Sequence, residues 1–94
     1  MVVVGLLTVE VALGEGSSLK DKRSVVRGML DGIRHRFNVT AAEVGRQDSH
    51  RAAELAFAVV SADRRFANKV LDKVLQSVES DPRVEVVETS LEFL

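Results

Sequence analysis

The sequence predicts an α+β fold in which four β-strands and two α-helices follow one another in the order βαββαβ. Three observations lead to this prediction. Four short runs are rich in alternating apolar residues, as is typical of strands, and two longer segments carry apolar residues at helical spacing. Turn-forming residues separate these segments. The chain has 94 residues, and we expect one domain covering residues 1–94.

The first strand and the first helix have clear boundaries. The strand is apolar on both faces, which is typical of a central strand, and Gly14-Glu15-Gly16 ends it. Ser18 has the position of an N-cap, with Asp21 three residues later as in a capping box. The helix that follows carries one apolar stripe, formed by Val25, Val26, Met29, Leu30, Ile33 and Phe37. Gly28 and Gly32 lie beside it. Because a glycine inside a helix costs about 1 kcal/mol relative to alanine, we expect a second helix to approach closely there.

The second half of the chain repeats the alternation of strands and helix. A second strand begins at Asn38, and a third covers residues 51–60. Ser61-Ala62-Asp63 caps a second helix, and Asp81-Pro82 ends it because a residue before proline is disfavoured in helical geometry. The apolar stripe of this helix is predicted at Phe66, Val70, Val74 and Val78, widened by Ala67, Leu71 and Leu75. In the last strand the apolar phase changes between Val86 and Val87, which predicts either a β-bulge or a strand that changes its exposure.

The order of the elements predicts the topology of the sheet. Each helix is a right-handed crossover between parallel strands. If the third strand lies between the first and the second, both helices cover the same face. We therefore predict a ferredoxin-like fold, with a four-stranded antiparallel sheet and two helices on one face. The other face is open and carries Val4, Leu6, Ala56 and Ala58. Because exposed apolar patches mark interfaces, we expect a homodimer through this open face.

Composition and motifs exclude several classes of protein. The chain has no cysteine, so it has no disulfide, no thiolate nucleophile and no cysteine metal site. It has no phosphate-binding glycine motif and no diagnostic spacing of metal ligands. We therefore expect a protein that is not an enzyme and that has no metal and no cofactor. The apolar run of residues 2–7 is too short to cross a bilayer, and no signal peptide is recognisable. We expect a cytoplasmic protein with no membrane partner.

The segment between the second and third strands, residues 43–54, concentrates the polar side chains that carry chemistry. The candidate binding residues in this polar hairpin are Glu43, Gln47, Asp48, His50 and Glu54. We expect a hydrogen-bonded cluster in which Glu43 and Glu54 lie near Arg46 or Arg51, and in which the Asp48 side chain bonds the turn. The alternative is that the polar hairpin binds a small ligand or a metal ion, as in a sensor domain.

Charge is unevenly distributed although the net charge is only −1. Residues 18–37 contain six basic residues against two acidic ones, and residues 79–94 contain five acidic residues against one arginine. Such asymmetry indicates either a polar partner surface or two solvated faces.

Nucleic-acid binding has one candidate surface. The third strand has a single aromatic residue, Phe57, which shares its phase with Leu55 and Val59 and therefore faces the core. Base stacking on the sheet, as in RNA-recognition domains, is excluded on this ground. On the first helix, four basic residues fall within about 60° of the helical wheel, where they could follow a phosphate backbone. These residues, the basic face, are Lys20, Arg23, Arg27 and Arg34. Asp31 lies among them and weakens the pattern.

Several motifs resemble those of a known family. They are Ser18-Leu19-Lys20-Asp21-Lys22-Arg23, Arg36-Phe37-Asn38-Val39, Ala42-Glu43-Val44-Gly45-Arg46-Gln47-Asp48, Ala53-Glu54-Leu55 and Val60-Ser61. Across the whole chain the sequence is similar to the YlxP-like family of small bacterial proteins of unknown function. The resemblance implies a ferredoxin-like fold. It also implies a connection to RNA or the ribosome, because genes of the family often stand beside those for translation and ribosome-maturation factors. We therefore expect an interaction module that binds RNA or the ribosome.

Overall fold

The computed structural model describes residues 1–94 and contains six elements in the predicted order. They are β1 (Val3–Leu13), α1 (Leu19–Arg36), β2 (Thr40–Gly45), β3 (Ala52–Ser61), α2 (Arg64–Glu79) and β4 (Val84–Phe93). The strands form one sheet in the order β2-β3-β1-β4, and all three neighbouring pairs are antiparallel. The prediction of a ferredoxin-like α+β fold is confirmed.

The hydrophobic core lies between the sheet and the helices. Every second residue of β1, from Val3 to Leu13, is buried, and β3 alternates in the same way from Ala53 to Val59. α1 packs over β2, whereas α2 packs over β1, β3 and β4. The two central strands therefore supply most of the core, as their apolar character predicts.

The N-terminus of α1 is closed by the predicted capping box. The backbone N–H of Asp21 donates to Ser18 Oγ at 3.0 Å, and the Ser18 N–H donates to Asp21 Oδ2 at 3.1 Å.

The expectation that a second helix approaches Gly28 and Gly32 is wrong, since no atom lies within 4 Å of the place where a Cβ would stand at either residue. The two helices cover different strands and touch each other little, so no helix approaches these glycines.

The buried stripe of α2 differs from the predicted one. The buried residues are Ala67, Leu71, Val74 and Val78, and Phe66 is 57% exposed. Residues spaced by four turn about 40° around the helix at each step, so the row that reaches the buried Val74 and Val78 begins outside the core-facing side, at Phe66. A row with alternating spacings of four and three stays on that side.

Two β-bulges shape the sheet. In β4, Glu88 pairs with Glu10 and Val86 pairs with Val11, which leaves Val87 as the extra residue, so the first of the two predicted alternatives, a bulge, is present. In β2 a second irregularity lies between Glu43, opposite Leu55, and Gly45, opposite Glu54. This second bulge directly precedes the bend of the polar hairpin.

The turn after α2 predicts an acid-sensitive contribution to stability. Asp81 accepts three hydrogen bonds from Arg83, one from the backbone N–H and two from the guanidinium. The guanidinium bonds chiefly hold the pKa of Asp81 below its usual value. This contribution is complete above the unfolded pKa of about 3.9 and is lost as the pH falls through the lower folded pKa. We expect Asp81→Asn to reduce the free energy of unfolding at neutral pH by about 0.5–1 kcal/mol, because solvent screens the pair. The deficit should shrink toward zero in acid. Urea unfolding at neutral pH and at a pH below the folded pKa of Asp81 measures this deficit. An equal deficit under the two conditions would contradict the prediction.

Candidate functional site

A buried lysine of α1 contacts the polar hairpin on both sides of its bend. Lys22 of α1 has no exposed surface. Its Nζ donates to the carbonyl oxygens of Arg46 and Ser49, each at 2.6 Å, and lies 2.9 Å from Glu43 Oε2. The Glu43 contact is an ion pair rather than an aligned hydrogen bond, since Oε2 is buried and satisfies no hydrogen-bond geometry. Lys22 therefore joins α1 to both sides of the bend.

The position of Lys22 follows from the periodicity of α1. It lies three and four residues before Val25 and Val26, so it extends the apolar stripe by one turn toward the N-terminus. The stripe therefore carries the lysine into the interior. Lys22 is not among the site residues predicted from the sequence, and its spacing from Val25 and Val26 is the signal that indicates its burial.

The backbone of the bend is held by Ser49 rather than by Asp48. The Ser49 N–H donates to the Arg46 carbonyl at 3.0 Å, and Ser49 Oγ accepts from the N–H groups of Arg51 and Ala52. Arg46 has φ of 60°, a left-handed conformation that is costly for a residue with a side chain. Asp48 is exposed and makes no hydrogen bond within the chain, so the expectation that its side chain bonds the turn is wrong.

The expected ion pairs of the polar hairpin are also wrong. Arg46 lies 3.5 Å from Glu10, and Arg51 lies 3.4 Å from Glu15. The reason is the direction of the strands' side chains. Glu43 stands opposite the buried Leu55 and faces the helix layer, whereas Glu54 stands opposite Gly45 and faces the other side of the sheet. The two carboxylates therefore cannot share a partner.

The remaining candidate residues of the polar hairpin are not brought together. Gln47, Asp48 and His50 are exposed, and none of their side chains makes a hydrogen bond within the chain. Nowhere in the molecule do three or more histidine or carboxylate side chains form a group that could hold a metal ion. The segment is thus a braced bend with an exposed polar tip.

The basic face of α1 is largely free of internal partners. Lys20, Arg23 and Arg27 are exposed, and their side chains form no hydrogen bond or ion pair within the chain. Arg34 differs, because it donates to Asp31 at 2.9 Å and to the Ala41 carbonyl at 2.5 Å. Three cationic side chains of the predicted four are therefore available to a ligand.

These cations border concave surface. Arg23, Arg27 and Arg34 line a groove of about 420 Å³ between α1 and Glu43 of β2, with Val26 and Leu30 as its apolar part. Lys20, Arg23 and Arg27 also line a neighbouring groove of about 410 Å³. The basic face is thus a continuous shallow surface along the helix. α2 carries a second exposed basic row, Arg65, Lys69 and Lys73, in which Asp72 lies beside the lysines.

The open face of the sheet brings together the four residues predicted for a dimer interface. Leu6 stands opposite Ala58, and Val4 and Ala56 occupy the neighbouring positions on the same face. Their side chains are half-buried. Phe57 is completely buried, so no aromatic ring of β3 lies on this face. The homodimer stays a prediction.

Comparison with known proteins identifies the family. Residues 4–91 match the family model described as a protein of unknown function, DUF503. The chain belongs to the DUF503 family. It is 32% identical over 91 residues to the uncharacterized protein YlxP of Bacillus subtilis (strain 168), covering 97% of this chain and 99% of YlxP. The predicted resemblance to YlxP-like proteins is confirmed.

Solved structures share only the fold with this DUF503 chain. A de novo designed protein, Foldit4, is 14% identical with a TM-score of 0.58, and the match covers 100% of this chain and 97% of the other. A putative chlorite dismutase is 19% identical with a TM-score of 0.55, and the match covers 97% of this chain but 43% of the other.

Neither of the two helices is both long and apolar enough to cross a membrane.

Proposed function

We propose that this DUF503 protein is a non-enzymatic interaction module that binds the phosphate backbone of RNA through the basic face of α1, near the translation machinery. The observation that carries the proposal is the set of unpaired cations Lys20, Arg23 and Arg27 on one side of one helix. Unpaired cations can displace the counterions condensed on a nucleic acid, and this release drives binding without regard to base sequence.

The shape of the surface supports α1 over α2 as the contact. Each of the two grooves along α1 is lined by three basic residues, among them Arg23 and Arg27, whereas the depression at the start of α2 is lined by two, Arg64 and Arg65. A phosphate on α1 can therefore meet more cations. Phosphate contacts position a protein on a nucleic acid but do not read its sequence. We therefore expect similar affinity for single-stranded RNAs of different sequence.

The experiment that tests the proposal compares native partners with and without RNA. The tagged full chain is isolated from cells of its source, and half of the sample is treated with ribonuclease. We expect RNA in the untreated sample and loss of the co-purified proteins after treatment. Partners that persist unchanged after ribonuclease, with no RNA recovered, would contradict the proposal and indicate a protein partner.

Asp31 provides a gain-of-binding prediction. Its carboxylate lies within the basic face and pairs with Arg34 at 2.9 Å. Asp31→Ala removes a charge that repels phosphate and leaves the positive charge of Arg34 without its carboxylate partner, although Arg34 still donates to the Ala41 carbonyl. We expect RNA affinity to rise by about three- to tenfold, since one repulsion is lost and one cation is gained. Asp72→Ala on α2 is the matched control. Titration with a labelled RNA measures both, and an unchanged affinity for the Asp31 variant would contradict the prediction.

The alternative, a sensor of a small ligand or metal ion in the polar hairpin, is favoured by no observation. The Glu43 carboxylate is already paired with Lys22. The side chains of Gln47, Asp48 and His50 are exposed and do not form a cluster.

A further inference from the structure

The open face of the sheet carries a row of three carboxylates. Glu54 of β3 stands directly opposite Glu10 of β1, and Glu10 stands directly opposite Glu88 of β4. Neighbouring strands lie about 4.8 Å apart, so the row spans about 10 Å across the sheet. Together with Thr8 and Ser90 it borders a depression of about 290 Å³ that no hydrophobic residue lines.

Within the chain this carboxylate row is poorly compensated. Like charges directly opposite each other destabilise a sheet. The row has one ion pair, to Arg46, whose guanidinium lies 3.5 Å from Glu10 and is half-exposed. β4 adds two more carboxylates in register with this face, since Glu92 pairs with Leu6 and Glu85 with Ala12. The face therefore carries a clear excess of negative charge.

Glu54, the β3 member of the row, lies against a glycine of the neighbouring strand. A Cβ built at Gly45 would overlap Glu54 Oε1 and would also stand 3.3 Å from Glu54 Cβ. The Glu54 side chain thus lies against the Gly45 backbone, next to the bulge in β2. A residue with a side chain here would displace the carboxylate from the row.

Next to the row lies the small apolar part of the face. Ala56 and Ala58 of β3 stand beside Leu6 of β1 and Ala42 of β2, and all four side chains are small or only partly exposed. Val60 extends this patch and is 71% exposed. The face therefore offers an apolar platform with an acidic border.

We propose that the open face docks a basic segment of another protein, with Lys or Arg side chains on the carboxylate row and small apolar side chains on the alanine patch. Charge complementarity selects this partner. RNA is repelled by the same carboxylates that attract a cationic segment. In a symmetric dimer through this face, a second copy would bring the same acidic surface, with Arg46 as the cation paired to the row. The face therefore favours a cationic segment over the homodimer expected from the sequence alone.

The test measures binding of a defined probe to the full chain. The probe is a labelled twelve-residue peptide in which Lys alternates with Ala and Val, and a peptide with Glu in place of Lys is its control. We compare wild type with the triple variant Glu10→Gln, Glu54→Gln and Glu88→Gln. We expect affinity for the Lys peptide to fall by about tenfold in this variant, the order expected when three partly exposed charge pairs are lost together. The Glu peptide should lose no affinity in this variant, because the carboxylate row does not attract it.

A second triple variant removes the same charge elsewhere. Glu15→Gln, Asp72→Asn and Glu79→Gln leave the open face unchanged, and affinity for the Lys peptide should stay within about twofold of wild type. The first triple variant removes the repulsion among the three carboxylates, so its midpoint of urea unfolding should lie above that of wild type. The same measurement shows that this variant folds. Equal peptide affinity in the two variants would overturn the proposal. So would a wild-type dimer that Leu6→Arg dissociates, since a second copy would then occupy the face.

Discussion

Replacing Lys22 with methionine should destabilise the protein by about 3–5 kcal/mol, because it leaves the largely buried Glu43 carboxylate without its countercharge. The Arg46 and Ser49 carbonyls lose their donor as well. Single domains are stable by about 5–15 kcal/mol, so this loss is a large share of the total. Urea unfolding of the purified variant measures it.

Two further variants show whether the cause is the ion pair. Lys20→Met removes an exposed lysine two residues away and should change stability by less than about 0.5 kcal/mol. The double variant Lys22→Met with Glu43→Leu removes both charges and should recover part of the loss, because an apolar pair of similar size replaces a buried ion pair at little cost. The carbonyls remain unsatisfied, so recovery should be incomplete. A loss for Lys22→Met as small as that for Lys20→Met would contradict the role of Lys22 as a brace.

Removal of the free cations of α1 should weaken RNA binding strongly. The triple variant Lys20→Ala, Arg23→Ala and Arg27→Ala should lose between about tenfold and a hundredfold in affinity, taking about 0.5–1 kcal/mol for each screened contact. These side chains have no internal partner, so the variant should fold as wild type does. Titration of a labelled single-stranded RNA at constant salt measures the loss.

The second helix supplies a control of equal charge. Arg65→Ala, Lys69→Ala and Lys73→Ala remove three exposed cations from α2, where the depression at Arg65 is lined by neither lysine. We expect a smaller loss, limited to the general effect of net charge. If both triple variants lose the same affinity, the RNA does not contact α1 in particular, and the basic face is a solvated helix surface.

Local patterns were sufficient to predict the fold. The capping box at Ser18 and Asp21 depends on residues three apart, and the bulge at Val87 depends on a change of phase within one strand. The order of strands followed from the handedness of two crossovers. Each of these features is determined by neighbouring residues or by chain topology, and each was predicted correctly.

The polar hairpin could not be predicted in the same way, because a distant residue determines it. Lys22 reaches carbonyls that are 24 and 27 residues further along the chain. The bulge before Gly45 also decides which carboxylate faces the helices and which faces the open side. A charged residue at a core position of a helical stripe was the one local sign of this contact, since such a residue must find partners in the interior.

The salt dependence of RNA affinity tests the proposed function most directly. The wild-type chain is titrated with a single-stranded RNA at several salt concentrations between about 50 and 200 mM. Three free cations predict a slope of log affinity against log salt of roughly −2 to −3, at about 0.7–0.9 for each phosphate contact. The Arg27→Ala variant should flatten this slope by about one contact. A slope near zero, or no binding at the lowest salt, would contradict the proposal that the basic face of α1 binds RNA.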